Sequence, residues 1–375
     1  MILRKSCVVC GKQELETFFE LEDFPIRLGV DFPHESCPKM DMKWSECQSC
    51  GCVQLLELAP LDVLYQKTHN SSIGKAWDHH HESLSGCVLR HATNDNLSVI
   101  EVGGANLLLA NKICAKSNSI KDYVIIDLAC GEYDVEATHP QIRLERSTIQ
   151  GFSSSQKFDI LVHSHTFEHL YDPSETLLSL GKFLTDDGIM IMSIPNVSSQ
   201  VKSGHLNSLH FEHTFYYDDP YLKKILNNSG FLIQEIVSFS PWNNFYICKK
   251  SKINVETKLS YDNRAKVDFI KMMTDLKKFV VDIERNEKEV FSFGAHIFSQ
   301  YLYNFGLKEK LIGVLDNDIT KNKRGNVLAG TKIPVYPVSQ MLDLETPSIV
   351  LKVAQFHEEI VTQLLSTNKT SKIIW

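Results

Sequence analysis

Apolar and polar residues follow one another in this 375-residue chain in blocks whose period changes several times. From Leu97, "LSVIEVGGANLLLANKIC" reads as an apolar run, a glycine turn and a segment with helical spacing. "DYVIIDLAC" is a second apolar run that ends at Asp127. "FDILVHSHTFEHL" gives a third run and a polar turn, and "SETLLSLGKFLTDDGIMIMSIPN" predicts a helix, an Asp-Gly turn and a further strand. Short apolar runs without alternation mark strands buried on both faces. Strands that alternate with helices predict a parallel sheet covered on both sides, so the expected fold class is α/β with a Rossmann-like central domain.

The pattern shifts again over residues 255–288. "RAKVDFIKMMTDLKKFVVDIERNEKE" is charged with a helical apolar period, and predicts a solvated helix packed on its apolar stripe. Beyond it, "VFSFGAHIFSQYLYNFG", "LIGVLDNDITKNKRGNVLAGTKIPVYPVSQM" and "SIVLKVAQFHEEIVTQLL" repeat the strand-turn-helix scheme on a smaller scale. Gly294 marks its glycine turn and Asp316 ends its next strand. This predicts a smaller Rossmann-like unit, serving either as scaffold or as nucleotide clamp. Boundaries are expected at 1–65, 66–270 and 285–375.

Ligands of such sheets sit at the carboxyl ends of the strands. Glu101, Gly103, Gly104 and Asp127 stand there, with His165 after the third run, and are the candidate cofactor contacts. An acidic residue at the end of the second strand can accept both ribose hydroxyls of NAD or S-adenosylmethionine. The glycine turn lacks the GxGxxG phosphate signature, which favours the cofactor without a pyrophosphate.

Cysteine usage adds a third unit. Six of the ten cysteines lie between Cys7 and Cys52. Cys7 and Cys10 form one CxxC pair, Cys47 and Cys50 another, and Gly11 and Gly51 follow them. Two such pairs predict a zinc ribbon, in which two tight turns supply four thiolates to a structural Zn2+ with no open position. The segment between the pairs is too short to fold on its own core, so the metal would supply folding energy. Cys37 and Cys52 lack a partner at knuckle spacing and are expected not to be ligands.

Net charge is -7, which gives no basic field for nucleic acid or anionic lipid. No apolar stretch is long enough to cross a membrane. "MILRKSCVVCGK" has no apolar run after its basic residues, so no signal peptide is expected. The expectation is a cytoplasmic protein with a small-molecule partner; oligomeric state is not readable.

"VIEVGG", "IIDL", "FDILVHSHTFEHLYDP" and "GKFLTDDGIMIMSIPN", in that order, resemble the class I methyltransferase series. Leu107 stands near a position where relatives keep another glycine. With the cysteine ribbon before and "DNDITKNKRGNVLAGTKIPVYP" after, the whole chain is similar to the bacterial sugar C-methyltransferases, which act on nucleotide-linked ketodeoxysugars. That resemblance implies S-adenosylmethionine as cofactor and a role in deoxysugar biosynthesis. It also implies that "HFEH" at His210 to His213 and His169 belong to the active site. In "YQKTHNSS", His69 stands where relatives have a tyrosine, with Tyr65 nearby.

The chemistry suits these residue types. A C–H beside a ketone is a very weak acid, so a base must remove the proton and a polar group must hold the enolate oxygen. His213 is the expected base, Glu212 its positioning partner, His169 the enolate-side group and His69 a further candidate. Both Glu212 and His213 can face one site only if the segment is a loop. "HHH" at His79 to His81 is read as helix surface. Two alternatives stay open: an O- or N-methyltransferase on a related polar metabolite, and a non-catalytic zinc-stabilised binding protein that has lost its cofactor site.

Overall fold

A computed structural model describes residues 2–65, 74–131, 136–251, 257–353 and 356–375. His69 lies outside the described residues. Every apolar run of the middle third becomes a strand of one seven-stranded sheet. Its order is Phe231–Ser240, Asn243–Lys250, Leu184–Pro195, Phe158–Ser164, Leu97–Val102, Ile120–Ile126, Ile142–Glu145. The last five are mutually parallel, and Asn243–Lys250 runs antiparallel to both neighbours.

The lack of alternation in these runs has a structural cause. Val99, Ile160, Val162 and Ile191 feed one core, with Leu84 and Val88 of the helix Lys75–His91 and Leu109 and Ile113 of the helix Leu108–Lys116. Ile100, Leu161, Met190 and Met192 feed the core on the other face. Successive side chains of a strand point to opposite faces, so a sheet covered twice needs apolar residues at every position.

One turn signal is overridden. Asp187-Gly188 lies inside the strand Leu184–Pro195, not in a turn before it. Pairing passes from Phe158↔Leu184 to Ile160↔Ile189, five positions against two, so the Asp-Gly pair forms a bulge.

Around this sheet the two terminal units close in. Leu15–Pro25, Lys39–Cys47 and Val53–Leu55 form a three-stranded antiparallel sheet next to the cysteine turns. The helix Arg264–Asn286 buries Phe269, Met272, Met273, Leu276, Val280 and Ile283. Phe269 stacks edge-on against Phe18 and Phe19 of that small sheet. The predicted apolar stripe therefore covers the N-terminal unit, whose core is continuous with the central one.

The C-terminal unit is an all-parallel sheet in the order Val335–Tyr336, Leu311–Leu315, Val290–Phe293, Ser348–Val350, Lys372–Ile374. Gly294 takes φ +90 and the Asp316 carboxylate accepts the Ala295 N–H at 2.8 Å, as the glycine-turn reading anticipates. Val30–Asp31 pairs with Val327–Leu328, so the N-terminal unit also touches this one. Among the described residues no helix is long and apolar enough to cross a membrane.

Candidate active site

The carboxyl ends of the parallel strands gather the cofactor candidates. Gly103, directly after Leu97–Val102, takes φ +82, and a Cβ there would lie 2.4 Å from Thr166 Oγ1. A Cβ at Gly104 would lie 2.3 Å from Glu101 Cδ. Two neighbours thus press on the glycine turn, and only glycine leaves room for them. Asp127 ends the second strand; its carboxylate accepts the Ala105 N–H at 3.2 Å and the Ala129 N–H at 2.9 Å. A carboxylate has about four acceptor sites, so lone pairs remain for a ribose.

Glu101 is turned beneath the turn, not into its mouth. It is 3% exposed and accepts the Tyr123 hydroxyl at 2.7 Å. Burial pushes its carboxyl up to about 7, against the pull of the Tyr123 hydrogen bond. Glu101 therefore shapes the turn from below. Leu107 keeps the backbone of the glycine it stands near, with φ 60, and its side chain enters the core under the sheet. The substitution leaves the path of the turn intact. These features fit a cofactor that lies over the strand ends with its ribose at Asp127.

On the other side of the strand ends, two copies of one tripeptide meet. Phe167-Glu168-His169 and Phe211-Glu212-His213 share the sequence FEH. Phe167 and Phe211 are fully buried anchors. Residues 203–217 contain no helix or strand, so the second copy lies in a loop. The His169 and His213 rings are 5.0 Å apart, edge to face. A Glu168 oxygen and a ring nitrogen from each histidine lie within 4.8 Å of one another. His169 Nδ1 is 3.5 Å from Glu212 Oε2 and 3.1 Å from the Tyr65 hydroxyl.

The two glutamates differ in charge state. Glu212, 1% exposed, is pushed up to about 8 by burial and by the charge of Glu168. For Glu168, burial is opposed by the hydrogen bond from His165, and its carboxyl is held below the usual range. Burial holds the His169 imidazole below its ordinary value, in the neutral form. One buried acid stays protonated while its neighbour is ionised, the separation that acid–base chemistry uses.

Glu212 also leaves a mark on stability. Its folded pKa exceeds the unfolded value, so between about pH 4.5 and 8 the folded chain holds a proton that the unfolded chain releases. Stability therefore falls as pH rises through that window. Glu212→Gln has no such proton; its Tm gain over wild type is expected to be small near pH 4.5 and on the order of 5 °C near pH 8. Scanning fluorimetry at both pH values checks this, and an equal shift at both would contradict it.

The cysteine pairs converge. Cys7 and Cys50 sulfurs are 3.7 Å apart, Cys10 and Cys47 sulfurs 3.5 Å apart, and all four lie within 4.8 Å. Zinc–sulfur bonds of about 2.3 Å in a tetrahedron separate the sulfurs by about 3.8 Å, so the set could hold a zinc ion. Cys37 and Cys52 sulfurs instead point at carbonyls of Pro38 and of Val53 and Tyr216. Gly51 takes φ +80, and a Cβ there would lie 1.8 Å from the Asp262 carbonyl oxygen. Gly51→Ala is expected to destabilise the chain by about 3 kcal/mol, read as a loss of Tm.

This ribbon also grips the loop that carries His213. Leu55 N–H donates to Thr214 O at 2.9 Å, and Tyr216 N–H donates to Val53 O at 2.8 Å. Arg4 donates to Thr214 Oγ1 at 3.2 Å, and the Tyr221 hydroxyl donates to Cys50 O at 3.1 Å. From the C-terminal unit, the Tyr301 hydroxyl donates to Leu209 O at 2.9 Å.

Some residues differ from the sequence reading. Tyr65, named beside His69 in the sequence reading, reaches His169 with its hydroxyl. His80 and His81 are 3% and 4% exposed, so of the three only His79 lies on the helix surface. Glu168 was missed, although its repeat of the FEH tripeptide was a local clue. A cavity of about 440 Å³ is lined by Pro195, Tyr217, Asp218, Asp262 and Arg264 and by none of these histidines or glutamates.

Residues 77–236 match the family model of a methyltransferase domain, and residues 248–374 match that of a C-methyltransferase C-terminal domain. No curated protein matches the chain. An S-adenosylmethionine-dependent methyltransferase from Clostridium acetobutylicum is 13% identical, with TM-score 0.37, over 51% of this chain and 96% of its own. The 1,6-didemethyltoxoflavin-N1-methyltransferase of Burkholderia thailandensis, solved with its substrate and S-adenosylhomocysteine, is 13% identical, with TM-score 0.36, over 46% and 78%. A methyltransferase from Mesorhizobium loti is 12% identical, with TM-score 0.36, over 44% and 98%.

Proposed function

We propose that this S-adenosylmethionine-dependent methyltransferase places the methyl group on a carbon next to a ketone, in a nucleotide-linked sugar, through an enolate. The observation that carries the reading is the meeting of the two FEH tripeptides beyond the strand ends, which brings two buried carboxyl groups beside two imidazoles. The match of residues 248–374 to a C-methyltransferase domain supports carbon as the acceptor.

When bound, S-adenosylmethionine supplies an electrophilic methyl group on a good leaving group. Gly103, Gly104 and Asp127 would hold it, Glu101 would shape the turn below it, and His165 would border it. His213 takes the proton from the carbon beside the ketone. The electron pair of that C–H bond moves toward the ketone oxygen, where His169, backed by Tyr65, and the protonated Glu212 donate hydrogen bonds. The carbon would then bond the methyl group as its bond to the sulfonium sulfur breaks and leaves a neutral thioether, the ketone would re-form, and the His213 imidazolium would release its proton to solvent. The four cysteines hold a structural zinc ion, and the protein works in the cytoplasm.

The test supplies methyl-13C-labelled S-adenosylmethionine with a panel of nucleoside-diphosphate ketodeoxysugars and reads the product by NMR. The reading predicts a methyl signal coupled to sugar carbon. A methoxy or N-methyl signal would replace it with the O- or N-methyltransferase reading.

A further inference from the structure

We propose that a hydrogen-bond chain from His80 through Ser193, Asn243 and His165 to Glu168 sets the proton positions of the site and makes Glu168 the fixed anion behind His169 and His213. Its use in turnover rests on the enolate reading; its proton positions do not.

Four links define the chain. His80 Nε2 and Ser193 Oγ are 2.7 Å apart. Ser193 Oγ donates to Asn243 Oδ1 at 3.1 Å. Asn243 Nδ2 meets His165 Nε2 at 2.7 Å. His165 Nδ1 meets Glu168 Oε1 at 3.1 Å. An amide nitrogen only donates, so His165 Nε2 must accept and its proton must sit on Nδ1, pointing at Glu168. The Ser193 proton is committed to Asn243, so His80 Nε2 must donate to Ser193. With Asn243 Oδ1 on Ser193 and Nδ2 on His165, one assignment satisfies every link, with both rings neutral and the chain ending on a carboxylate that accepts. A doubly protonated His165 would set a ring N–H against the Asn243 amide N–H.

Burial keeps the chain in this state. His80 is walled by the rings of Trp77, Phe239 and Phe245 at 5.5, 5.3 and 5.5 Å. Its imidazole is pushed down to about 2, chiefly by burial among these rings. The backbone is held as well. His165 takes φ 53, a left-handed value uncommon outside glycine, with its N–H on Ser193 O at 3.0 Å. Strained backbone of this kind persists where the surroundings over-determine it. Glu168 is 0% exposed, and its Oε2 has no hydrogen-bond partner among the described residues.

The chain gives Glu168 a positioning role. It acts through the imidazoles: a proton arriving on His213 makes a cation within 4.8 Å of a carboxylate that can neither turn away nor take up a proton from His165. Sequence reasoning missed the chain because its five members come from four separate segments, and His80 lies in a histidine run that looks like surface.

The experiment uses the full chain with 15N-labelled histidine. Two-bond 1H–15N spectra report which ring nitrogen carries the proton. The expected result is Nδ1–H at His165 and Nε2–H at His80, with signals assigned from His165→Gln and His80→Gln. Asn243→Asp replaces the donor by an acceptor and should bring a proton onto His165 Nε2. On the ketodeoxysugar panel the same variant should lose about tenfold to a hundredfold in kcat, with KM for S-adenosylmethionine within about twofold. His80→Gln, which keeps a donor, should lose several-fold less than His80→Leu. An Nε2–H tautomer at His165 in the wild type, or an Asn243→Asp protein with unchanged His165 signals, overturns the proposal even if the acceptor proves to be oxygen or nitrogen.

Discussion

Cys47→Ser is expected to lose the bound zinc, most of the chain's stability and, with them, at least a hundredfold of methyl transfer. The four sulfurs converge at the separations a tetrahedral ion requires. A structural zinc of this kind contributes on the order of 10 kcal/mol to folding, comparable with the whole stability of a domain. The effect should reach catalysis through the backbone. The strand Val53–Leu55 follows Cys52 directly and exchanges hydrogen bonds with Thr214 and Tyr216, on the far side of His213. Loosening the ribbon therefore loosens the base. Metal analysis should find one zinc per wild-type chain, and a chelator should speed amide exchange over residues 211–217 before the central sheet opens. A zinc-free chain with full activity would contradict this. So would a second ion bound at Glu168, His169 and His213, because that ion would occupy the nitrogen assigned to the base.

His213→Asn should lower kcat by about a thousandfold while leaving calorimetric binding of S-adenosylmethionine unchanged. Asparagine keeps similar bulk and can hydrogen-bond, yet cannot take a proton near neutral pH. His213 lies in the loop of residues 203–217 and is not among the glycine-turn residues or Asp127, so cofactor affinity should not follow the loss. A fall of less than about tenfold would mean that the acceptor needs little help in losing its proton, as an oxygen nucleophile does.

Much of this architecture could be read from the chain because its signals are local. The runs at Val99, Val124, Leu161 and Met190 are apolar at every position because both faces of the sheet are covered. The cysteine pairs declare themselves through spacing within each turn. Leu107 shows the limit of motif reading: the left-handed backbone is kept without glycine. Asp187-Gly188 shows another, since pairing with the strand Phe158–Ser164 absorbs a turn signal as a bulge. The candidate cluster was legible only in part. Tyr65 reaches His169 across 104 positions and Ser193 reaches His80 across 113, and no periodicity carries contacts of that range. Both glutamates are buried; the hydrogen bond from His165 separates Glu168 from Glu212, two residues with the same neighbours in sequence.

The most direct measurement is exchange of the carbon-bound hydrogen beside the ketone in deuterated water, with no cofactor present. The account predicts that the wild-type protein exchanges deuterium into one position of an accepted ketodeoxysugar, and that His213→Asn abolishes this while still binding the sugar. Methyl transfer without such exchange in the wild type, or undiminished exchange in His213→Asn, would contradict it.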